Sequence, residues 1–231
     1  MVVNRNVGEM EVSVKDSKND MVDRGVFDLW AGDYDEEVRL ADENNEYPFS
    51  GYAKIMDSIF NTVTKKKPAD VLDVGVGTGT LAAALYEHGQ AITGIDFSSE
   101  MLAIAVQKMP GANFFQCDFA DGLPPGLRGM KFDFIISTYA LHHLPDTLKV
   151  RFIKSLLPCL NTNGAILIGD IGFTTRSEFN KCHKQNADDW DDDEYYFVFT
   201  ELAAALKGAC SVTFEQISHC GGIMEIRELK K

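Results

Sequence analysis

The 231-residue chain is 45% apolar and 25% charged, an ordinary balance for a soluble globular protein with one large core. Its net charge of −13 makes the average surface repel phosphate, which argues against a nucleic-acid or anionic-membrane partner. No run reaches the roughly 20 apolar residues of a membrane span, the polar N-terminal stretch lacks a signal-like apolar segment, and five scattered cysteines without a C-x-x-C pair fit reduced cytoplasmic thiols better than a disulfide framework or structural zinc.

In chain order, residues 1 to 22 are polar and aperiodic and read as a mobile lead-in. Residues 23 to 67 read as mostly helical. Tyr52, Ile55, Met56, Ile59 and Phe60 recur at helical spacing, Trp30 and Tyr34 stand one turn apart, and Pro68 stops the segment. The rhythm then alternates. "DVLDV" is predicted as a strand, "TLAAALYEHG" as a helix closed by Gly89, and "QAITGID" as a second strand. "SSEMLAIAVQKM" is predicted as a helix capped by Ser98 or Ser99, with Glu100 in its first turn. "ANFFQCD" is a third strand, "DGLPPGLRG" a loop, and "FDFIIST" a fourth strand, apolar throughout as one buried on both faces should be. "LPDTLKVRFIKSLLPCL" is a helix with Leu148, Phe152, Leu156 and Leu160 on its buried face, ended by "NTNG", and "AILIGD" is a fifth strand. After Asp170, "DEYYFVFTELAAALKGA" reads as one more helix. "SVTFEQI" and "GGIMEIRE" follow as two strands, and the short link "SHCGG" allows only antiparallel pairing. Strands separated by helical crossovers make a doubly wound α/β sheet, here with an antiparallel end.

The stretch "DVGVGTGT" turns from the first strand into the first helix of this unit, and its glycines and free N–H groups form a general nucleotide cradle. A P-loop would need G-x-x-x-x-G-K-[ST], and no lysine follows. A dinucleotide fingerprint would need a glycine or alanine where Thr80 stands, and the third glycine comes one residue early, at Gly79. Asp73, two residues before Gly75, would oppose a pyrophosphate and favour a ligand carrying an ammonium group. Asp96 ends the second strand, where a carboxylate accepts hydrogen bonds from vicinal ribose hydroxyls. Asp118 ends the third strand, where it would accept from an exocyclic amine such as that of adenine. Two of the acids also have a plainer reading: Asp96, because "DFSSE" suits helix capping, and Asp118, which suits a turn. Together the three describe a ligand with an ammonium, a ribose and an adenine but no phosphates, which is S-adenosylmethionine.

With these residues in place the chain resembles the class I, Rossmann-like S-adenosylmethionine-dependent methyltransferases from about Phe27 to the C-terminus. Asp73, Gly75, Gly77 and Gly79 match the family's acid followed by G-x-G-x-G, with Val76 between the first two glycines. Asp96, followed by Phe97, matches the acid ending the second strand. Asp118, with Cys117 and Phe119 beside it, matches the acid after the third. "FDLWAGDYD", "VGTGTL", "STYALHHL" and "GGIMEI" look most like the YrrT-type bacterial methyltransferases. The resemblance implies a doubly wound, mostly parallel seven-stranded sheet with an antiparallel C-terminal strand pair and helices on both faces. It also implies an N-terminal helical lid over the cofactor, with Tyr34 close to its methionine part. An aromatic face attracts a sulfonium cation, so Tyr34 and Trp30 are candidate cofactor contacts, with plain packing the alternative for Trp30. Ser137 joins them from the end of the fourth strand.

Methyl transfer from a sulfonium needs alignment and exclusion of water more than a dedicated acid or base, and no catalytic triad is visible. The resemblance places the segment "STYALHHLPD" beside the methyl group. It lacks the (N/D)-P-P-(Y/F) signature of nucleic-acid amino methyltransferases, so the expected acceptor is a small molecule and the expected assembly a monomer or homodimer. His142 and Tyr139 are the catalytic candidates, His142 as a proton acceptor. Neighbours in a turn or helix should point apart, so His142 and His143 are not expected to share a metal, and no metal site is expected elsewhere. His143, His183, Tyr195 and Tyr196 are substrate candidates. The acidic run from Asp188 to Glu194 fails the calcium-loop pattern at its glycine and twelfth positions. It reads as a solvated helix start or as a lure for a cationic substrate. Two other functions stay open: a non-catalytic S-adenosylmethionine-binding protein, and an NAD-dependent oxidoreductase.

Overall fold

Strand β1 (Asp70–Val74) shows how the molecule is filled. Its side chains alternate across the sheet, Val71 packing into one hydrophobic cluster and Leu72 and Val74 into another. The same alternation recurs in β4 (Phe132–Thr138), where Ile135 and Ile136 fall on opposite faces, and in β5 (Leu160–Phe173), where Leu167 lies between Ile166 and Ile168. A sheet buried on both faces requires this near-continuous apolar run. The computed structural model describes residues 42–229. The expected lead-in of residues 1–22 and residues 23–41 of the expected lid, including Trp30 and Tyr34, lie outside the described residues.

The strand order is β3-β2-β1-β4-β5-β8-β7, with β2 (Ala91–Asp96) and β3 (Asn113–Gln116) on one side of β1. Pairing is parallel from β3 to β5, then antiparallel between β5, β8 (Gly221–Glu228) and β7 (Cys210–Gln216). One strand is additional to the seven expected: β6 (Phe197–Val198) pairs in parallel with the end of β5, at Gly172 and Phe173. The order reverses between β1 and β4, and open α/β sheets bind ligands outside the strand ends at such a point.

Helices cover both faces. Ile55 and Ile59 of α1 (Tyr52–Val63), Leu81 and Leu85 of α2 (Thr80–Glu87), and Leu102 and Ala105 of α3 (Ser99–Lys108) join the cluster on one face. Phe152, Ile153 and Leu156 of α4 (Asp146–Leu156) and Leu202 and Leu206 of α6 (Phe199–Leu206) join the other. Ser98 is the α3 cap, accepting from the Met101 N–H at 3.1 Å. The segment before α1 is less helical than its spacing suggested. Residues 44–51 are mainly turns, and Asp42 accepts from the Gly51 and Ala53 N–H groups at 2.8 and 2.9 Å to start α1.

Three further boundaries differ from expectation. "NTNG" does not end α4: that helix stops at Leu156, Leu160 already belongs to β5, and residues 161–164 bulge within the strand between the Phe132↔Leu160 and Phe134↔Ala165 pairs. Asn163 takes φ 65°, which Asn tolerates better than most residues. Helix α5 (Arg176–Gln185) was not anticipated, because only Cys182 of its ten residues is buried and no apolar period announces it. Its one signal was "TRSE": Thr175 and Glu178 form a capping box. Finally, the helix read from "DEYYFVFTELAAALKGA" starts only at Phe199, its first residues forming a loop and β6.

Candidate active site

The ends of β1, β2, β4 and β5 converge on one crevice because their registers align Asp73 with Gly94 and Ile136, and Thr138 with Gly169. The turn after β1 is drawn tight by the Gly75 and Val76 N–H groups, which both donate to the Ile95 carbonyl at 2.9 and 3.0 Å. Gly75 adopts φ 71°, and a Cβ there would lie 2.4 Å from the Cβ of Ala140. The early third glycine also has a packing role. Gly79 (φ 81°) starts α2 where a Cβ would stand 2.6 Å from Met109 Cε and 3.4 Å from Ala105 Cβ, so it lets α2 approach α3.

The resulting crevice encloses about 800 Å³ including its open mouth. Asp73, Gly75, Val76, Gly77, Asp96, Phe97, Phe119, Tyr139 and His143 border it, so nine of the sequence-derived candidates meet there. Asp96 is oriented by two backbone donors, Gly77 N–H to Oδ2 at 2.8 Å and Ser98 N–H to Oδ1 at 2.9 Å. Asp73 is 2% exposed, and its Oδ1 has no hydrogen-bond partner. Burial, aided by the charge of Asp96, pushes its carboxyl up to about 8. Tyr139 carries a second buried polar atom without a partner, its hydroxyl oxygen. It sits at φ 49°, a strained conformation for a bulky residue, held by its N–H to the Gly169 carbonyl at 2.9 Å and by ring contacts to Phe49 and Tyr52.

Several candidates do not reach the cavity. Ser137 donates to the Val74 carbonyl at 2.9 Å, pinning β4 to β1. Asp118 accepts from the Ala120 N–H at 2.9 Å and caps a short 3-10 turn that carries Phe119 into the wall, while Asp118, Cys117 and Gly79 are not among the bordering residues. His183 lies in an aromatic cluster, 4.6 Å from the Trp190 ring, and Tyr196 accepts from the Tyr47 hydroxyl at 2.5 Å. Tyr195 is 43% exposed, and its backbone rather than its ring is used. Its N–H donates to the His142 carbonyl at 2.7 Å and its carbonyl accepts from the buried Lys149 ammonium. The acidic run does not start a helix: Asp188, Asp189 and Asp191 to Asp193 are exposed in a loop well before α6, while Trp190 packs into the aromatic cluster and, of the acids, Glu194 folds inward.

The histidines are the principal correction. His142, the expected proton acceptor, does not border the cavity; His143 does. His142 Nδ1 lies 2.7 Å from Asp170 Oδ1, and its own N–H donates to Asp170 Oδ2 at 3.1 Å. Glu194 lies on its other side, 3.4 Å from Nε2. Burial opposes the His142 charge, but these two carboxylates prevail and raise its pKa. Burial and the adjacent His142 lower that of His143. The expectation that the two rings point apart also fails. A 3-10 turn sets their centroids 4.2 Å apart, and both reach Glu194. Asp170 and Glu194 went unread as site residues, since one ends an apolar strand and the other closes an acidic run. Tyr52, Met56, Thr78, Thr80, Met101 and Ala140 also border the cavity without a motif to mark them.

Comparison with known proteins accords with this architecture. Residues 71–164 match the methyltransferase domain family. An uncharacterized methyltransferase of Oceanobacillus iheyensis is 32% identical over 88% of this chain and 96% of its own length. One of Bacillus cytotoxicus is 33% identical over 87% and 95%. Among solved structures, DhpI in complex with S-adenosylhomocysteine superposes with a TM-score of 0.67 at 18% identity, covering 90% of this chain and 96% of that one. Magnesium protoporphyrin IX methyltransferase from Synechocystis, with bound S-adenosylhomocysteine, gives 0.65 at 19% identity over 89% and 100%. The chain belongs to the class I S-adenosylmethionine-dependent methyltransferases. It is therefore an enzyme, which sets aside the reading of a non-catalytic binding protein.

Proposed function

We propose that this methyltransferase moves a methyl group from S-adenosylmethionine to a small-molecule acceptor by in-line displacement, releasing S-adenosylhomocysteine. The observation that carries the cofactor assignment is the unpartnered Oδ1 of Asp73, buried beside the glycine turn. An ammonium group supplies the missing partner, whereas a pyrophosphate would be repelled, which disfavours the NAD reading. In this reading Asp73 takes the ammonium, Asp96 the ribose hydroxyls, and Phe97, Met101 and Phe119 flank the adenine. When bound, the cofactor supplies a methyl group made electrophilic by its sulfonium. The chain's part is to align the acceptor and keep water out. Tyr139, Tyr52 and Met56 line the same cavity as the acids, and the buried Tyr139 hydroxyl, which lacks a partner in the protein, is available to orient an acceptor atom. His143 is the basic side chain among the described residues bordering the cavity.

The small-molecule assignment rests on the net charge of −13 and on the missing nucleic-acid methyltransferase signature after β4. It agrees with a structural neighbour whose name specifies magnesium protoporphyrin IX. Placement with the YrrT-type enzymes rests on the four segments quoted above. Calorimetric titration with S-adenosylmethionine, S-adenosylhomocysteine and NADH tests the cofactor, and silence toward both sulfur ligands would sink the proposal. In the same experiment Asp96→Ala should weaken binding by about 1–3 kcal/mol through a lost charged hydrogen bond. A screen of small acceptors for methyl uptake then tests the substrate class.

A further inference from the structure

Behind the cavity wall, three side chains converge that the methyl-transfer chemistry above does not require together. The ligand atoms of His142, His143 and Glu194 lie within 4.8 Å of one another. His142 and His143 come from the turn after β4, while Glu194 comes from the loop before β6. That loop is fastened to the turn by the Tyr195 N–H on the His142 carbonyl and by Lys149 on the Tyr195 carbonyl. The convergence is thus held by two separate contacts across a long sequence interval.

We propose that His142 Nε2, His143 Nδ1 and a Glu194 carboxylate oxygen bind one divalent cation of the zinc type. Distances carry the argument. A charge-assisted hydrogen bond between imidazolium and carboxylate closes to about 2.7–2.9 Å, as His142 Nδ1 and Asp170 do at 2.7 Å. His142 Nε2 and His143 Nδ1 instead stand 3.4 and 3.9 Å from Glu194 Oε1. Ligands at about 2.0–2.2 Å around a tetrahedral ion are separated by roughly 3.3–3.6 Å, so both separations from Glu194 match to within a few tenths of an ångström, and all three ligand atoms lie within 4.8 Å of one another. The outer shell is also in place. Asp170 accepts from Nδ1–H of His142, so Nε2 is the nitrogen that would give up its proton to the ion, and Tyr196 hydrogen-bonds Glu194. Imidazoles with a carboxylate suit zinc and disfavour magnesium or calcium. Three protein ligands leave a fourth position for water or an acceptor atom. Since His143 also borders the cofactor cavity, the ion would lie in the wall of the methyl-transfer site.

The test uses the full chain without a histidine tag, stripped with chelator and titrated with zinc chloride, with magnesium chloride as the contrast. One zinc per chain and no magnesium binding are expected. Glu194→Gln and His143→Ala should each weaken zinc binding roughly a hundredfold, and Asp170→Asn by about ten- to a hundredfold. Cobalt substitution should give the visible absorption of a four-coordinate N/O site, lost in Glu194→Gln. Titration with S-adenosylhomocysteine, run on every sample, reports folding and the cofactor site independently of the metal. A wild-type chain that binds S-adenosylhomocysteine but takes up no zinc overturns the metal site and leaves the methyltransferase reading standing. Unchanged zinc affinity in folded Glu194→Gln overturns it equally. If His143→Ala does not fold, Glu194→Gln and the cobalt spectrum decide.

Discussion

A buried carboxylate with an unpartnered oxygen is costly when ionised, and Asp73 avoids that cost in the ligand-free protein by holding its proton up to about pH 8. Between the ordinary carboxylate range and about pH 8, the native state therefore binds a proton that the unfolded chain does not. The sign follows directly: the unfolded state binds fewer protons, so ligand-free stability falls as pH rises through this window. Asp73→Asn should flatten that fall and leave the ligand-free protein more stable than wild type at pH 8. Each kcal/mol gained would add roughly 2–4 °C to Tm, and thermal unfolding from pH 5 to 9 measures it. The same substitution should remove most cofactor affinity. In the wild type the arriving ammonium displaces the proton, so affinity should rise by up to about tenfold from pH 6 to 7, with proton release. Titration in two buffers of different ionisation enthalpy detects that release, and a pH-independent Kd without it would contradict the role given to Asp73.

Among elements, the turn after β1 and the segment after β4 depend on one another. Gly75 must accept φ 71° and must leave room for Ala140, whose Cβ would stand 2.4 Å from any Cβ added at 75. Gly75→Ala should destabilise the fold by about 2–4 kcal/mol, combining backbone strain with overpacking. The double variant Gly75→Ala/Ala140→Gly relieves the clash but not the φ, so it should recover only part of that loss. Urea unfolding of the three variants gives the comparison, and full recovery would assign the whole effect to the clash. These elements also show where reading the sequence succeeds and fails. α2 and α3 carry strong helix formers and the Ser98 cap, and they appear as expected. α5 has a polar composition and one buried residue, so periodicity could not find it. "NTNG" has the composition of a turn, yet pairing with β4 on one side of it and β8 beyond it keeps the backbone in β5.

For the whole molecule, cofactor binding should act as a global stabiliser, because the cavity joins the ends of β1, β2 and β4 with α1. At a hundredfold excess over Kd, S-adenosylhomocysteine should add about 2.7 kcal/mol, or roughly 5–11 °C in Tm for a chain of this size. NADH at the same concentration should add nothing, and differential scanning calorimetry separates the two. Most of the architecture and the cofactor acids were legible along the chain. A parallel strand buried on both faces must be continuously apolar, a tight strand-to-helix turn must be glycine-rich, and an acid at a strand end stays next to that turn in sequence and in space. Those are local constraints, and they placed Asp73 and Asp96 at the border of the cavity. Contacts between distant segments follow no such rule. Whether His142 or His143 faces the cavity depends on the angle of a single 3-10 turn, and that Glu194 reaches both depends on a loop fastened by Lys149 and the Tyr195 backbone. Likewise Ser137 and Asp118 occupy strand-end positions, but the neighbouring β1 carbonyl and a 3-10 turn take up their oxygens. By itself the sequence determined the alternation of strands and helices, the antiparallel end of the sheet and the glycine turn after β1. Only the tertiary structure decided which side chains share the cavity, because that depends on which distant backbone groups satisfy each buried polar atom.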